Sequence, residues 1–168
     1  VIDVPPGTTI NKACQMAGIP IAHYCWHEGL SVAGACRMCM VEVEKMPKLQ
    51  IACNTPVNDG MVVRTDSDKV KEAVRWQLDF HLINHPLDCP ICDQAGECKL
   101  QDYYMAYGKY TPEMNQHKNK KHKVVSLGER VVLDQERCIL CSRCVRFTHE
   151  VTKTHELGIF NRGDRSEL

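Results

Sequence analysis

A chain of 168 residues can bury one core or divide into two or three small modules, and its formal charge of zero calls for neither nucleic acid nor anionic lipid as a partner. Eleven cysteines are too many for a chain of ordinary hydrophobic content and, being odd in number, cannot all pair as disulfides; their close C-x-x-C spacing suits thiolates converging on a metal centre. No stretch approaches the ~20 apolar residues that cross a bilayer, and the opening VIDVPPGTT lacks the basic start and apolar run of a signal peptide, so a reducing, cytosol-like compartment is expected.

In chain order, residues 1–66 read as short strands around one helix. The strands are VIDV, MVEVE, QIACN and MVVRT; the helix is TTINKACQMAG, with Thr8 or Thr9 as its cap and Gly18 at its end. From Ser67 to about Asn84, Val70, Ala73, Val74, Gln77, Leu78 and Leu82 keep a near-helical period, with Asp66 and Ser67 as good caps. Pro86 biases His85 away from helical geometry, so the histidine should sit at the helix end facing the cysteine loop, which Pro86 and Pro90 stiffen. Residues 103–123 read as a connector ending in the basic run HKNKKHK. The last segment holds a strand-like VVSLGERVVL, a triple cysteine run and a helix from about Ser142 to Thr152. Three modules are expected, at 1–66, 67–106 and 107–168, and no solenoid repeat is present. The chain begins with valine and reads as a fragment of something longer.

Ten of the cysteines fall into three constellations. Cys25, Cys36, Cys39 and Cys53 are spaced C-x10-C-x2-C-x13-C around a loop of small residues, Ser31, Ala33, Gly34 and Ala35, which lets backbone amides approach the sulfurs. The close pair and remote fourth cysteine match a plant-type [2Fe-2S] loop with a lengthened first gap; a zinc ribbon is the alternative, although ribbons usually bring two close pairs. His85, Cys89, Cys92 and Cys98 form H-x3-C-x2-C-x5-C. Zinc accepts that ligand set as readily as iron-sulfur does, and His81 one turn earlier is a competing imidazole. Cys138, Cys141 and Cys144 form the C-x2-C-x2-C run of a cubane site, with threonine at 148 where two-cluster ferredoxins place a fourth cysteine, so a fourth ligand beyond Leu168 is expected. Cys14, inside the first helix, reads as a small core residue.

CWHEGLSVAGACRMCMVEVEKMPK, NHPLDCPICDQAGECKLQD, RCILCSRCVRF and LGIFNRGDRSEL together resemble the amino-terminal region of the large iron-sulfur subunit of respiratory complex I, the NADH:quinone oxidoreductase, from about Pro5 to Leu168. The resemblance implies an α+β fold, with a ferredoxin-like β-grasp domain followed by small, irregular, partly helical [4Fe-4S] modules. It implies one [2Fe-2S] cluster on Cys25, Cys36, Cys39 and Cys53, a [4Fe-4S] cluster on His85, Cys89, Cys92 and Cys98, and a second [4Fe-4S] cluster on Cys138, Cys141 and Cys144. Implied too are a flavin-bearing NADH dehydrogenase partner and other peripheral-arm subunits, and a peripheral place on the cytoplasmic face of a bacterial inner membrane, or the matrix side in a mitochondrion. The same motifs occur in the iron-sulfur subunit of NAD-reducing hydrogenase diaphorases, which stays open as an alternative; a multi-zinc interaction module is the remote one.

The residues offer no nucleophile with its base, phosphate loop or dinucleotide fingerprint, so electron relay through clusters is the expected work and substrate chemistry is left to partners. The basic run reads as a solvated loop, with docking of an acidic partner as the sharper alternative. Arg37, Arg143 and Arg146 beside cluster cysteines read either as tuners of cluster charge or as surface residues.

Overall fold

The computed structural model describes residues 1–111, 113 and 115–168; Pro112 and Met114 of the expected connector lie outside the described residues. Helix α1 (Ile10–Met16) starts at Thr9, whose hydroxyl accepts from Lys12 N–H. Its first amides are taken up by a distant turn: Ile10 N–H donates to Thr55 O and Asn11 N–H to Ala52 O, both at 2.9 Å. Orphan donors at a helix start must find acceptors somewhere, and here they dock α1 against the turn that carries Cys53.

Strand β1 (Met40–Val43) is the centre of a three-stranded antiparallel sheet, flanked by β2 (Gln50–Ile51) and β3 (Val63–Arg64). The register pairs Met40 with Ile51 and Val43 with Val63. Val41 and Val43 point to one face and pack with Ile10, Cys14, Cys39, Ala52 and Cys53, so the free thiol of Cys14 serves as core, and burial raises its pKa. VIDV is not a strand. Pro5 and Pro6 follow it directly and have no N–H to give a ladder, and the first three residues are exposed.

Helix α2 (Asp68–Leu82) is capped by Ser67, whose hydroxyl accepts from Val70 N–H, and ends two residues before Asn84. Val70, Val74 and Leu78 lie on one face and pack into a core with Ala22, Tyr24, Cys25, Cys36, Met38 and Leu100. The expected boundary at 66/67 therefore does not separate two cores: the helix after it completes the packing of the cysteine loop before it. A single 3-10 turn at Cys89–Ile91 leads to helix α3 (Lys99–Tyr107), which replaces the start of the expected connector. Leu100, Tyr103 and Tyr107 of α3 turn toward the α2 core. The strand-like VVSLGERVVL folds as a short hairpin of β4 (Val125–Ser126) and β5 (Val132–Leu133). Helix α4 (Arg143–Glu150) takes in Cys144, the last cysteine of the third run, and is two residues shorter at its end than the expected helix. The whole is α+β, with helices and small sheets mixed along the chain.

Candidate metal centres

The loop from Cys25 to Cys39 is shaped by left-handed backbone at Gly34 (φ +61°) and Arg37 (φ +56°). A side chain at position 34 would also press on Ile51, whose Cδ1 would stand 3.2 Å from its Cβ. Cys25, Cys36, Cys39 and Cys53 are all buried, and they couple electrostatically in two pairs. The Cys25 and Cys36 sulfurs perturb each other's titration, and Cys25 N–H donates to Cys36 Sγ at 3.4 Å. Cys39 and Cys53 perturb each other in the same way, and Cys53 lies within electrostatic range of the other three sulfurs.

In each pair one sulfur loses its proton easily because the other keeps one to donate. Cys25 is pulled down to about 5, first by the Cys36 thiol and further by the backbone amides of Cys36 and Ala35 and the charge of Arg146. The Cys53 thiol brings Cys39 down in the same way, while Cys36 and Cys53 are held up by the anions they face and by burial. Sulfurs bonded by amides and a nearby guanidinium are prepared for the thiolate state that iron requires. Two close pairs suit a two-iron centre, in which four cysteines serve two metals. Among the described residues no three His, Cys, Asp or Glu side chains stand as the shell of a single ion.

His85, Cys89, Cys92 and Cys98 line one cavity of about 1110 Å³, together with Tyr24 and Cys141. His85 Nδ1–H donates to Pro86 O at 3.0 Å, so Nε2 keeps its lone pair free, and burial lowers its pKa, which holds the ring neutral. His81, the competing imidazole, donates from Nδ1 to Gln77 O at 2.6 Å and packs on the Tyr24 ring at 4.9 Å. It lines a second cavity of about 490 Å³ instead, so the three cysteines share their cavity with His85 and not with His81. The buried Tyr24 hydroxyl has no hydrogen-bond partner among the described residues. An orphaned donor on the wall of a thiol-lined cavity fits a sulfur-rich group better than empty space.

Cys138 and Cys141 flank Leu140 (φ +55°), and Ser142 (φ +59°) turns the chain into α4, where Cys144 is the second residue. Cys141 and Cys144 lie within electrostatic range of Cys138; burial raises the Cys138 pKa, and the charges of Cys141 and Cys144 add to the rise. Cys138 lines the smaller cavity and Cys141 the larger, so the run straddles the wall between them.

Sequence reasoning missed the groups that join these sites. The basic run is a largely exposed loop, as expected, but it is not merely solvated. Lys118 Nζ donates to Leu82 O at 2.7 Å and to Ile83 O at 3.4 Å, capping the end of α2 three residues before His85. Asn119 N–H donates to Asn84 Oδ1 at 2.9 Å. Lys123 ion-pairs with Asp88 beside Cys89 and, at 2.8 Å, with the buried Glu136 near Cys138. These lysines strap the middle cysteine module to the last one. Arg143 and Arg146 reach the first: Arg143 Nη2 donates to Trp26 O at 2.7 Å, and Arg146 binds the carbonyls of Cys25 and Ser31. These two arginines are therefore not loose surface residues.

Comparison with known proteins follows the same three-part order. The family model described as a 2Fe-2S iron-sulfur cluster binding domain matches residues 1–68. That of the NADH-ubiquinone oxidoreductase-G iron-sulfur binding region matches 75–112, and that of the NADH-quinone oxidoreductase subunit 3 ferredoxin-like domain matches 128–168. The chain is 47% identical over 168 residues to the NADH-quinone oxidoreductase G-type subunit of Rickettsia bellii (strain RML369-C), covering 99% of this chain and 24% of that one. It is 46% identical to the mitochondrial NADH dehydrogenase [ubiquinone] iron-sulfur protein 1 of Solanum tuberosum, with 99% and 22% covered. The crystal structure of an NAD+-reducing [NiFe]-hydrogenase in the H2-reduced state contains a chain that superposes with a TM-score of 0.88 at 31% identity, covering 99% of this chain and 69% of that one. The chain thus spans about a quarter of the length of the curated relatives it matches. It carries a [2Fe-2S] domain followed by [4Fe-4S] binding regions.

Proposed function

This chain belongs to the NADH-quinone oxidoreductase family of G-type subunits and their 75 kDa counterparts, and on that footing we propose that it is the electron-relay segment of such a subunit. Electrons arrive one at a time from a flavin-bearing NADH-oxidising partner and leave through neighbouring subunits towards quinone. The ligands we assign are Cys25, Cys36, Cys39 and Cys53 for the [2Fe-2S] cluster, His85, Cys89, Cys92 and Cys98 for one [4Fe-4S] cluster, and Cys138, Cys141 and Cys144 for three corners of another. When bound, such clusters supply one-electron redox chemistry; the protein supplies position, dryness and charge.

One observation carries the reading. A single apolar core contains Cys25 and Cys36 and is packed against by Cys98 and Cys141, so all three cysteine constellations share one wall. A relay needs its centres held rigidly at short range in a medium that does not reorganise, and a common core provides that. Around it the chain's own residues do the tuning. Amides of Ala35 and Cys36 and the Arg146 guanidinium stabilise negative charge at Cys25, and neutral His85 adds no charge where a thiolate would add one. No helix among the described residues is long and apolar enough to cross a membrane. We place the segment in a peripheral arm, on the cytoplasmic face of a bacterial membrane or the matrix side of a mitochondrial one, within a hetero-oligomer.

The NAD+-reducing hydrogenase shares the fold, but 31% identity to its chain against 47% to the quinone-reducing relatives favours the latter. Iron, zinc and acid-labile sulfide assayed on anaerobically purified protein test the relay itself. Iron and sulfide in amounts matching one [2Fe-2S] and two [4Fe-4S] clusters are expected. Stoichiometric zinc without sulfide refutes the reading.

A further inference from the structure

Helix α4 does more than carry Cys144. Arg143, Arg146 and Glu150 stand at i, i+3 and i+7, which places them on one face of the helix. All three grip the loop that follows Cys25. Arg143 Nη2 donates to Trp26 O at 2.7 Å, and Glu150 accepts from Ser31 N–H at 2.8 Å and from the Ser31 hydroxyl.

Arg146 is the centre of this face. Its Nη1 donates to Ser31 O, its Nη2 donates both to Cys25 O and, at 3.4 Å, to Cys141 O, and its Nε donates to Ser142 Oγ at 3.2 Å. One planar cation therefore joins the backbone of a cysteine in the first constellation, 121 positions from Arg146, to that of a cysteine in the third. Lysine cannot do this. An ammonium can satisfy one or two of these acceptors as a point charge, whereas a guanidinium offers five donors in a fixed fork.

We propose that Arg146 is a positioning residue shared by two cluster sites: its guanidinium clamps the Cys25 loop to the Cys141 loop and holds a fixed positive charge between the two ligand sets. Two consequences separate from each other. The charge favours the reduced, more negative state of the [2Fe-2S] centre, so it sets potential. The fork fixes the distance between the two ligand loops, so it sets the magnetic coupling between the paramagnetic centres they hold.

The inference rests on the ligand assignment proposed above, and the test distinguishes the two. In the assembled full-length complex, the [2Fe-2S] midpoint is measured by potentiometric EPR, and its dipolar interaction with the neighbouring cluster by spin relaxation. Loss of the [2Fe-2S] signal from the wild-type complex would count against the assignment, not against Arg146. Arg146→Gln is expected to lower the midpoint, so that less than half of the centre is reduced at the wild-type midpoint, and to weaken the dipolar interaction. Arg146→Lys is expected to keep the wild-type midpoint while the interaction stays weakened. A wild-type midpoint in Arg146→Gln, a shifted midpoint in Arg146→Lys or a wild-type interaction in either overturns the proposal. Where Arg146→Gln does not assemble, Arg146→Lys decides by the same two readouts.

Discussion

Leu78 is fully buried on the inner face of α2, and the core it fills contains Cys25, Cys36 and Tyr24. Leu78→Ala removes three carbons from that wall. At ~0.8 kcal/mol per buried methylene the transfer loss is about 2.4 kcal/mol, and the residual cavity raises the total towards about 4 kcal/mol. For a chain of this length each kcal/mol moves the melting temperature by about 2–4 °C, so a fall of about 10 °C is expected. The cavity opens beside the Cys25–Cys36 pair, so water should reach that pair before it reaches the other sulfurs. Thermal melts of anaerobic holoprotein, followed in parallel by far-UV circular dichroism and by the [2Fe-2S] EPR signal, read both effects. The signal should be lost at a lower temperature than the helix content in Leu78→Ala, and together with it in the wild type. Leu78→Met, which conserves volume, should cost less than about 1.5 kcal/mol. Coincident loss in Leu78→Ala, or a fall in melting temperature under about 3 °C, refutes the idea that this side chain seals the site.

On the ligand assignment proposed above, His85→Cys exchanges a neutral ligand for an anionic one. A full charge at about 4 Å in an effective dielectric of about 20 is worth about 4 kcal/mol, on the order of 170 mV for a one-electron couple. The midpoint of the His85-ligated cluster should fall by something of that order, and an unchanged or higher value sinks the charge argument. His81→Ala, by contrast, should leave that cluster's EPR signal in place, because His81 lines a different cavity from the three cysteines. Lys118→Met removes the cap on Leu82 O and Ile83 O, at a cost of about 1 kcal/mol. Amide exchange across residues 82–85 should quicken, and unaltered protection there would show that the cap is dispensable. Burial lowers the His81 pKa, so as pH falls through the ordinary imidazole value of about 6.5 the unfolded chain binds a proton that the folded one refuses. The stability contributed by neutral His81 is complete above that value and lost below it. His81→Gln should therefore flatten the decline in melting temperature between about pH 7.5 and about 5.5; an equally steep decline assigns it to other groups.

Local signals in the chain were sufficient where the cause is local. Thr9 and Ser67 cap their helices because a hydroxyl two or three residues before an amide can reach it whatever surrounds them. The apolar period of α2 and the spacing of the cysteine runs belong to the same class, and so do the identity and order of the three constellations. Helix α3 was also legible in principle. Leu100, Tyr103, Tyr104 and Tyr107 stand at i, i+3, i+4 and i+7, a pattern masked by reading the tyrosines as connector. VIDV failed for a local reason as well, since two prolines follow it.

What no local pattern contains is the choice of distant partner. HKNKKHK has the composition of a solvated run, yet Lys118 finds α2 carbonyls some 36 positions away and Lys123 finds Asp88. Arg146 looks like any arginine on the flank of a cysteine loop until the fold brings Cys25 and Ser31 to it. The ambiguity between His81 and His85 has the same origin, because both lie near one helix end and only the packing of Tyr24 and α3 determines which imidazole shares a cavity with three cysteines. By itself the sequence determined which donor side chains the three cluster-binding regions offer and in what order along the chain, because donor chemistry and short spacings are properties of neighbours. The tertiary structure decided which of those atoms meet and what holds the sites at fixed separation, because those contacts form only after the chain has buried a common core.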